Sequence, residues 1–292
     1  MAVDNRSIMY IHMINNILAP SLEVGNTILN IKDTSKLQKF YQSGVGLELL
    51  SKEKNEVVLG QDQKKIITLS GAPDLPYALK TSAGLYHNAI VFKSRGKLAN
   101  TLKRLFKDYP NSFIGSADHF VSEAFYFVDP EGNELELYFD RDRSQWEWEN
   151  GYVKMGVEYI DPISYIHTYS AQDDSEEKRM GHVHLKVGDV QIARKFYVNT
   201  VGFNVTAEMP QALFVSVGEY HHHIGMNSWQ SFGAQPRNNS LGLQSIELIL
   251  PTKQDVDTLA SRLEKNNIPL LQKKETLIFQ DPWNNVINIK SQ

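Results

Sequence analysis

One short stretch of the chain carries three side chains that are common in active sites. The segment HFVSEAFYFVDPEGNELELYFDR contains His119, Tyr126 seven residues later, and Glu136 ten residues beyond that, around a tight turn. Histidine and tyrosine can exchange protons with a substrate, and histidine does so near neutral pH without any shift of its pKa. Imidazoles and carboxylates also bind divalent metal ions. This stretch is therefore the first candidate for chemistry.

A second segment near the end of the chain repeats the turn without these groups. LQKKETLIFQDPWNNVINIKSQ keeps a DPxxN turn but has Leu271, Ile278 and Asn288 at the matching positions. None of the three is an anionic ligand or a proton-transfer group near neutral pH. We therefore expect the second segment to be a structural copy.

Composition narrows the classes of function. The 292 residues carry a formal net charge of −4 and no cysteine. The chain lacks the basic field of a nucleic-acid-binding protein, and the missing cysteines exclude disulfides, thiolate metal sites and cysteine nucleophiles. Any metal must be held by nitrogen and oxygen. No apolar run reaches the roughly 20 residues of a membrane span, so we expect a cytoplasmic protein with no nucleic-acid or membrane partner.

The elements that position the reactive residues are repeated along the chain. GNTILNIKDTSKLQKFYQSGVGLELL from Gly25 aligns without a gap with GHVHLKVGDVQIARKFYVNTVGFNVT from Gly181. GLYHNAIVFKSRGKLANTLKRLF from Gly84 resembles GLQSIELILPTKQDVDTLASRLE from Gly242. Each copy has the pattern of a strand, a capped amphipathic helix and further strands. The alignment predicts four βαβββ units at about residues 24–75, 84–140, 180–230 and 241–291.

Four such units predict an α+β fold in which curved mixed sheets close in pairs around a cavity. The length suits two domains, each large enough to bury a core. We expect an N-terminal extension at 1–23 packed on the body, a first domain of two units at 24–140, a linker at 141–179, and a second domain of two units at 180–292. The linker is assigned where the repeat is interrupted.

The layout and one motif resemble a known superfamily. The four units, the FY…VGF segments and the DPEGNELELY turn are similar to the vicinal oxygen chelate superfamily, which includes glyoxalases, bleomycin-resistance proteins and extradiol ring-cleaving dioxygenases. The likeness implies two vicinal oxygen chelate domains of the catechol 2,3-dioxygenase type. HFVSEAFYFVDPEGNELE resembles the extradiol dioxygenase signature, and Ala117 departs from it. The matching positions are His119, Phe125, Tyr126, Asp129, Pro130, Gly132 and Glu136.

The resemblance implies a divalent metal held between two paired units by residues of their first and last strands. At those positions stand Asn26 in unit one, His87 and Glu136 in unit two, His182 in unit three, and Ser245 and Asn288 in unit four. A non-haem Fe(II) oxygenase uses two histidines and one carboxylate. We expect His87, Glu136 and His182 as ligands of Fe(II), with Mn(II) or another divalent ion as the alternative. His184 lies on the same face as His182 and could replace it.

This ligand set requires units two and three to meet. They either pair across the linker within one chain, or the paired half comes from a second subunit. The second arrangement would make the protein a homodimer. The sequence leaves both open.

A histidine run in unit three adds a further candidate. In GEYHHHIGMNSW, alignment with the superfamily pattern selects His222, whereas strand parity equally selects His221 and His223. The resemblance implies His222 as a base or a dioxygen-stabilising group. It implies His119 as an acid at the substrate hydroxyl and Tyr126 as a hydrogen-bond donor to the ring oxygen.

The resemblance thus implies a metal-dependent extradiol dioxygenase that opens a catechol-like or hydroquinone-like aromatic ring with O2. One alternative is a glyoxalase-type isomerase, for which a second carboxylate ligand is expected. The other is a binding or resistance protein of the same fold without catalysis. His119 and Tyr126 favour catalysis, because sequestration needs no proton donor, but fold alone does not decide the reaction.

Overall fold

A computed structural model describes residues 18–170 and 177–292. Of the predicted N-terminal extension, residues 1–17 lie outside the described residues. Leu18 and Leu22, which follow them, are buried in the hydrophobic core. In the described part of the chain, none of the helices combines the length and the apolar composition needed to cross a bilayer.

Each predicted unit consists of a long first strand, a helix and three further strands. Unit one contains β1 Glu23–Ile31, α1 Thr34–Lys39 with a π-helical continuation Phe40–Val45, β2 Glu48–Glu53, β3 Glu56–Gln61 and β4 Lys64–Gly71. Unit two contains β5 Gly84–Phe92, α2 Arg95–Asp108, β6 Phe113–Asp118, β7 Ser122–Val128 and β8 Glu134–Asp140.

After a connecting segment, the same order of elements occurs twice more. The connecting segment contains β9 Trp148–Glu149, β10 Tyr152–Val153 and α3 Pro162–Tyr169. Unit three contains β11 Lys178–Lys186, α4 Val190–Arg194 with a π-helical continuation Lys195–Val201, β12 Asn204–Met209, β13 Ala212–Ser216 and β14 Ile224–Asn227. Unit four contains β15 Gly242–Leu250, α5 Lys253–Lys265, β16 Leu271–Lys273, β17 Thr276–Gln280 and β18 Val286–Ser291.

The repeated Asp and Gly residues begin and end the helical segments of units one and three. The Asp33 carboxylate accepts a hydrogen bond from the backbone N–H of Lys36, and Asp189 caps α4 in the same way. Such caps satisfy N–H groups that have no partner within the helix. Gly46 and Gly202 follow with φ angles of 83° and 109°, which glycine adopts without steric cost.

The eighteen strands in the described residues include two eight-stranded mixed sheets. The outer-unit sheet joins units four and one in the order β16-β17-β18-β15-β1-β4-β3-β2. The inner-unit sheet joins units three and two in the order β12-β13-β14-β11-β5-β8-β7-β6. Each seam is an antiparallel pair of first strands, whereas the first and last strands within a unit are parallel. The predicted α+β fold with four βαβββ units is confirmed.

Units two and three therefore pair across the connecting segment within one chain. No second subunit is required for this pairing, and a homodimer stays a prediction. The sheets do not follow the predicted division at 140 and 180, because each sheet takes one unit from either side. The helix packing does follow it: the Tyr41 hydroxyl donates to Asp129 at 3.1 Å, and the Tyr197 hydroxyl donates to Asp281 at 3.0 Å. The domain boundaries stay a prediction.

The segment predicted as a linker packs against the inner-unit sheet. Trp146 and Val153 are buried together with Val121 and Tyr220. In α3, the Tyr165 hydroxyl donates to the Glu123 carboxylate of β7 at 3.2 Å. The connecting segment thus packs against the sheet that carries the candidate site.

Candidate metal centre

The three predicted metal ligands lie together on the inner-unit sheet. His87 is on β5, His182 is on the neighbouring β11, and Glu136 is on β8 at the other side of β5. The Nε2 atoms of His87 and His182 lie 3.0 and 3.3 Å from the same Glu136 oxygen, Oε2. One potential metal-binding atom from each of the three residues lies within 4.8 Å of those of the other two. All three side chains are buried.

Strand register explains how residues so distant in sequence meet. His182 is opposite Ala89 on β5, and Ala89 is in turn opposite Glu136 on β8. The three residues form one row across three strands. His87 is two residues from Ala89 and shares its face of the sheet, because side chains alternate along a strand. The small Ala89 side chain leaves space between the imidazole and the carboxylate.

The hydrogen bonding of these residues fits a metal site. Three buried ring nitrogens have no hydrogen-bond partner among the described residues. They are Nδ1 and Nε2 of His87 and Nδ1 of His182. His87 Nε2 is close to Glu136, but the two atoms are not aligned as donor and acceptor. A buried polar atom without a partner is costly, and these ring nitrogens are available to coordinate an ion. Two imidazoles and a carboxylate supply the donor set of a divalent metal.

The protonation states agree with that role. Burial lowers the pKa of His182 to about 4, with the opposing effect of Glu136 outweighed, so the ring is neutral at pH 7. Burial alone would raise the pKa of Glu136, but contact with the His182 and His87 rings places it well below its ordinary value. A neutral imidazole and an ionised carboxylate are the forms that bind metal. The three groups form a candidate site for a divalent metal.

His119 and Tyr126 form a hydrogen-bonded pair beside this site. The Tyr126 hydroxyl lies 2.6 Å from His119 Nε2, and the rings of Tyr126 and His87 are 5.6 Å apart. His119 Nδ1 lies 2.7 Å from the carbonyl oxygen of Gly156 and must carry the proton there, so Nε2 of the neutral ring accepts from the tyrosine. Both nitrogens of His119 are engaged by protein groups. The histidine therefore reaches the site through the Tyr126 hydroxyl.

Burial, together with the charge of Glu136, raises the pKa of Tyr126 well above its ordinary value. The phenol therefore keeps its proton at neutral pH and acts as a hydrogen-bond donor. The strand pairing places Tyr126 of β7 directly opposite Glu136 of β8. Residues directly opposite each other on paired strands share a face, so the Glu136 carboxylate and the Tyr126 phenol lie on the same face of the inner-unit sheet.

The histidine run approaches the site from unit three, and its members have different contacts. The His222 ring lies 4.0 Å from that of His182, centroid to centroid, and burial lowers its pKa well below the usual value. His221 lies behind it and pairs with Asp140, while His223 Nδ1 pairs with the Ser216 hydroxyl. Of the three, His222 has the closest ring contact with a candidate ligand. Its catalytic role stays a prediction.

His184, the alternative to His182, has a different environment. Its Nε2 accepts a hydrogen bond from the Asn227 amide at 3.0 Å. Its ring nevertheless lies near the site, 4.9 Å from the His87 ring. The geometry thus favours His182 as the second imidazole.

Comparison with known proteins identifies the family of the chain. The model of the Glyoxalase/Bleomycin resistance protein/Dioxygenase superfamily matches residues 179–289. The catechol-2,3-dioxygenase of Bacillus subtilis (strain 168) is 32% identical over 276 residues, which cover 89% of this chain and 93% of that protein. The chain belongs to this superfamily. The resemblance inferred from the four-unit layout is confirmed.

Solved structures share the fold of this superfamily member. A putative dioxygenase from Bacillus subtilis subsp. subtilis str. 168 matches with a TM-score of 0.62 and 13% identity over 92% of this chain and 84% of that chain. Glyoxalase I from Zea mays matches with a TM-score of 0.59 and 14% identity over 92% of each chain. At these identities the likeness shows the common fold alone.

Two further residues near the superfamily site are not among those predicted from the sequence. Asp140 is the last residue of β8, the strand that carries Glu136. It follows Glu136 by an even number of residues, so the sequence could have placed both side chains on the same face of the strand. Gly156, whose carbonyl oxygen binds His119, lies in the connecting segment. That segment has no copy in the chain, so the repeat gives no signal for it.

Proposed function

We propose that the protein is an Fe(II)-dependent extradiol dioxygenase that acts on a catechol-like aromatic and O2. The observation that supports this most directly is the buried cluster of His87, His182 and Glu136. Its members provide two imidazoles and one carboxylate, and several of their ring nitrogens have no protein partner in the described residues. This donor set is typical of non-haem Fe(II) oxygenases, and Mn(II) is the alternative ion.

The overall reaction is balanced without any further reductant. The carbon–carbon bond beside the two hydroxyl-bearing carbons breaks, and both atoms of O2 enter the ring-opened product. Iron bound by the three ligands would supply a positive charge and exchangeable positions at which the two catechol oxygens and O2 can meet. The protein must hold the ring, accept a proton and keep bulk water out.

The protein side chains have distinct roles in this proposal. His222 is neutral because burial lowers its pKa, so it can accept the proton of a substrate hydroxyl. Tyr126 stays protonated, and we expect its hydroxyl, which donates to His119 Nε2 in the free protein, to donate instead to the substrate oxygen when substrate binds. His119 Nε2 accepts the hydrogen of the Tyr126 hydroxyl in the free protein, so His119 can act as the acid predicted from the signature only after it has taken up a second proton. Tyr126 and the ligands lie on one face of the inner-unit sheet, and His119 and His222 contact this group from loops.

The first test is reconstitution with Fe(II) under anaerobic conditions, followed by catechol and air. We expect a yellow ring-opened product, and we expect Glu136→Ala and His87→Ala to abolish it. The matched control is Asn288→Ala, which removes the residue equivalent to Glu136 from the outer-unit sheet and should leave the rate unchanged.

Each other result points to a different function. Stoichiometric metal binding without product from any catechol would refute ring cleavage and favour a glyoxalase-type isomerase. Absence of metal binding would refute the site itself and favour a binding protein. Product formed equally by Glu136→Ala would place the chemistry elsewhere.

A further inference from the structure

A chain of polar groups extends from His222 away from the candidate metal centre. His222 Nδ1 lies 2.7 Å from His221 Nδ1, and His221 Nε2 lies 2.9 Å from Asp140 Oδ1. Asp140 is the last residue of β8, the strand that carries Glu136. The chain therefore runs from the predicted base through a second histidine to a carboxylate.

The chemistry of these contacts assigns the protons. A carboxylate only accepts hydrogen bonds, so His221 Nε2 carries the hydrogen that faces Asp140. With one hydrogen on each ring, His221 Nδ1 is then an acceptor, and the hydrogen between the two rings belongs to His222 Nδ1. The remaining nitrogen of His222, Nε2, has no hydrogen. In a neutral imidazole this nitrogen is the one that can take a proton from a substrate.

The middle residue of this chain is held firmly. His221 is fully buried, and its ring lies 4.2 Å from the Tyr220 ring and 5.3 Å from the Trp146 ring, centroid to centroid. The Thr206 hydroxyl donates to the His221 carbonyl oxygen. Tyr220 also donates its hydroxyl hydrogen to the second oxygen of Asp140, at 2.8 Å. Packing and hydrogen bonds thus leave His221 one orientation.

We propose that Asp140 and His221 are positioning residues that hold His222 in its Nδ1–H tautomer, so that Nε2 serves as the proton acceptor of the site. The catalytic part of this inference rests on the function proposed above. The tautomer itself does not, because it follows from hydrogen bonds within the protein. A related arrangement, in which a buried aspartate fixes a histidine tautomer, operates in serine proteases, where replacing that aspartate with asparagine lowers kcat about 10⁴-fold.

The decisive measurement is the tautomer of His222 by ¹⁵N NMR of histidine-labelled protein, metal-free and loaded with diamagnetic Zn(II). The His222 signals are assigned by their loss in His222→Gln. We expect hydrogen on Nδ1 and none on Nε2 in the wild-type protein. Hydrogen on Nε2 of the neutral ring would overturn the proposal without any variant of the chain being needed.

Asp140→Asn tests the cause of the tautomer. The asparagine amide can donate to His221 Nε2, which would reverse both hydrogen bonds and place the hydrogen of His222 on Nε2. We expect that reversal, together with a fall in kcat for catechol of about 100-fold at unchanged KM and unchanged iron content. Asp140→Glu should restore part of the rate. A folded Asp140→Asn protein with the wild-type tautomer would refute the proposal.

Tyr220→Phe is the matched control, because it removes a hydrogen bond to Asp140 but leaves the one to His221. We expect the wild-type tautomer and a change in kcat below about threefold, because Asp140 keeps its hydrogen bond to His221 and the direction of the two hydrogen bonds does not change. A loss equal to that of Asp140→Asn would show that general packing, and not the tautomer, controls the rate. If the wild-type protein does not turn over catechol, the proposed function fails, while the NMR result still decides the tautomer.

Discussion

The two sheets share a strand plan and differ at a few side chains. At the positions of His182, His87 and Glu136 in the inner-unit sheet, the outer-unit sheet has Asn26, Ser245 and Asn288. There the Asn26 amide donates to the Thr68 hydroxyl at 2.9 Å, and the Asn288 amide donates to Ser245 at 3.0 Å. At these three positions the polar side chains of the outer-unit sheet thus form hydrogen bonds with protein groups.

The residue that lies between the ligand positions also differs between the two sheets. Ala89 lies between His182 and Glu136, whereas Glu247 takes its place in the outer-unit sheet and forms an ion pair with Lys290. At these positions one sheet has the small Ala89 side chain and ring nitrogens without hydrogen-bond partners, and the other has polar side chains that are bonded to one another. We infer that the common backbone is a scaffold and that the site depends on leaving a few polar atoms without protein partners.

The largest expected effect comes from the shared carboxylate. In Glu136→Gln, loss of the anionic ligand should lower metal affinity by more than about 100-fold, since residues that merely support a ligand already contribute about 10–100-fold. Turnover should fall to the level of the metal-free protein. Iron content per chain and product formation measure both effects, and Asn288→Ala should match the wild type. Full iron content in Glu136→Gln would contradict the ligand assignment.

A smaller effect is expected for the phenol beside the ligands. Tyr126→Phe removes a donor that keeps its proton at neutral pH, so kcat should fall about 100-fold, as is usual for a positioned proton donor. Metal content should not change, and this distinguishes the variant from Glu136→Gln. Ile278 is the outer-unit counterpart, and Ile278→Val should leave kinetics unaltered. Loss of metal in Tyr126→Phe would assign the residue to metal binding.

Transplanting the ligands sharpens the comparison between the sheets. A variant that combines Asn26→His, Ser245→His, Asn288→Glu and Glu247→Ala copies the inner-unit row into the outer-unit sheet. We expect it to bind a second equivalent of Zn(II), more weakly than the first, because the surrounding packing has not been adapted. Titration calorimetry gives the stoichiometry, and circular dichroism checks the fold. A folded variant with one equivalent would show that backbone differences also matter.

The smallest effect should be equal in the two halves. Tyr41→Phe and Tyr197→Phe each remove a buried hydrogen bond to an aspartate, and each should lower the free energy of unfolding by about 1.5–3 kcal/mol. Urea denaturation measures this value. A difference of more than about 1 kcal/mol between the variants would show that the two hydrogen bonds are not equivalent.

Much of the fold and part of the candidate site can be predicted from the sequence because the repeat fixes positions along strands. The resemblance implies that His87, Glu136 and His182 face the cavity from first and last strands, and alternation along β8 places Glu136 on the same face as Glu134 and Tyr138. The pairing of units two and three cannot be predicted in this way, because it depends on contacts between first strands that carry no local signal. The same holds for the residue of the histidine run that faces the site. His221 precedes β14 in an irregular loop, where strand parity does not apply.

The pairing of units across the chain has a consequence for biosynthesis. The first strand of unit one, β1, pairs with β15, and the first strand of unit two, β5, pairs with β11. The partner strands of β1 and β5 are therefore translated much later than β1 and β5 themselves. When only units one and two have been translated, the nascent chain exposes the unpaired edges of β1 and β5. Such edges are prone to association with other chains. The inner-unit sheet can be completed only after unit three has been translated, because β5 pairs with β11. The same strand, β11, carries His182. A metal ion held by His87, Glu136 and His182 could therefore bind only after most of the chain has been translated.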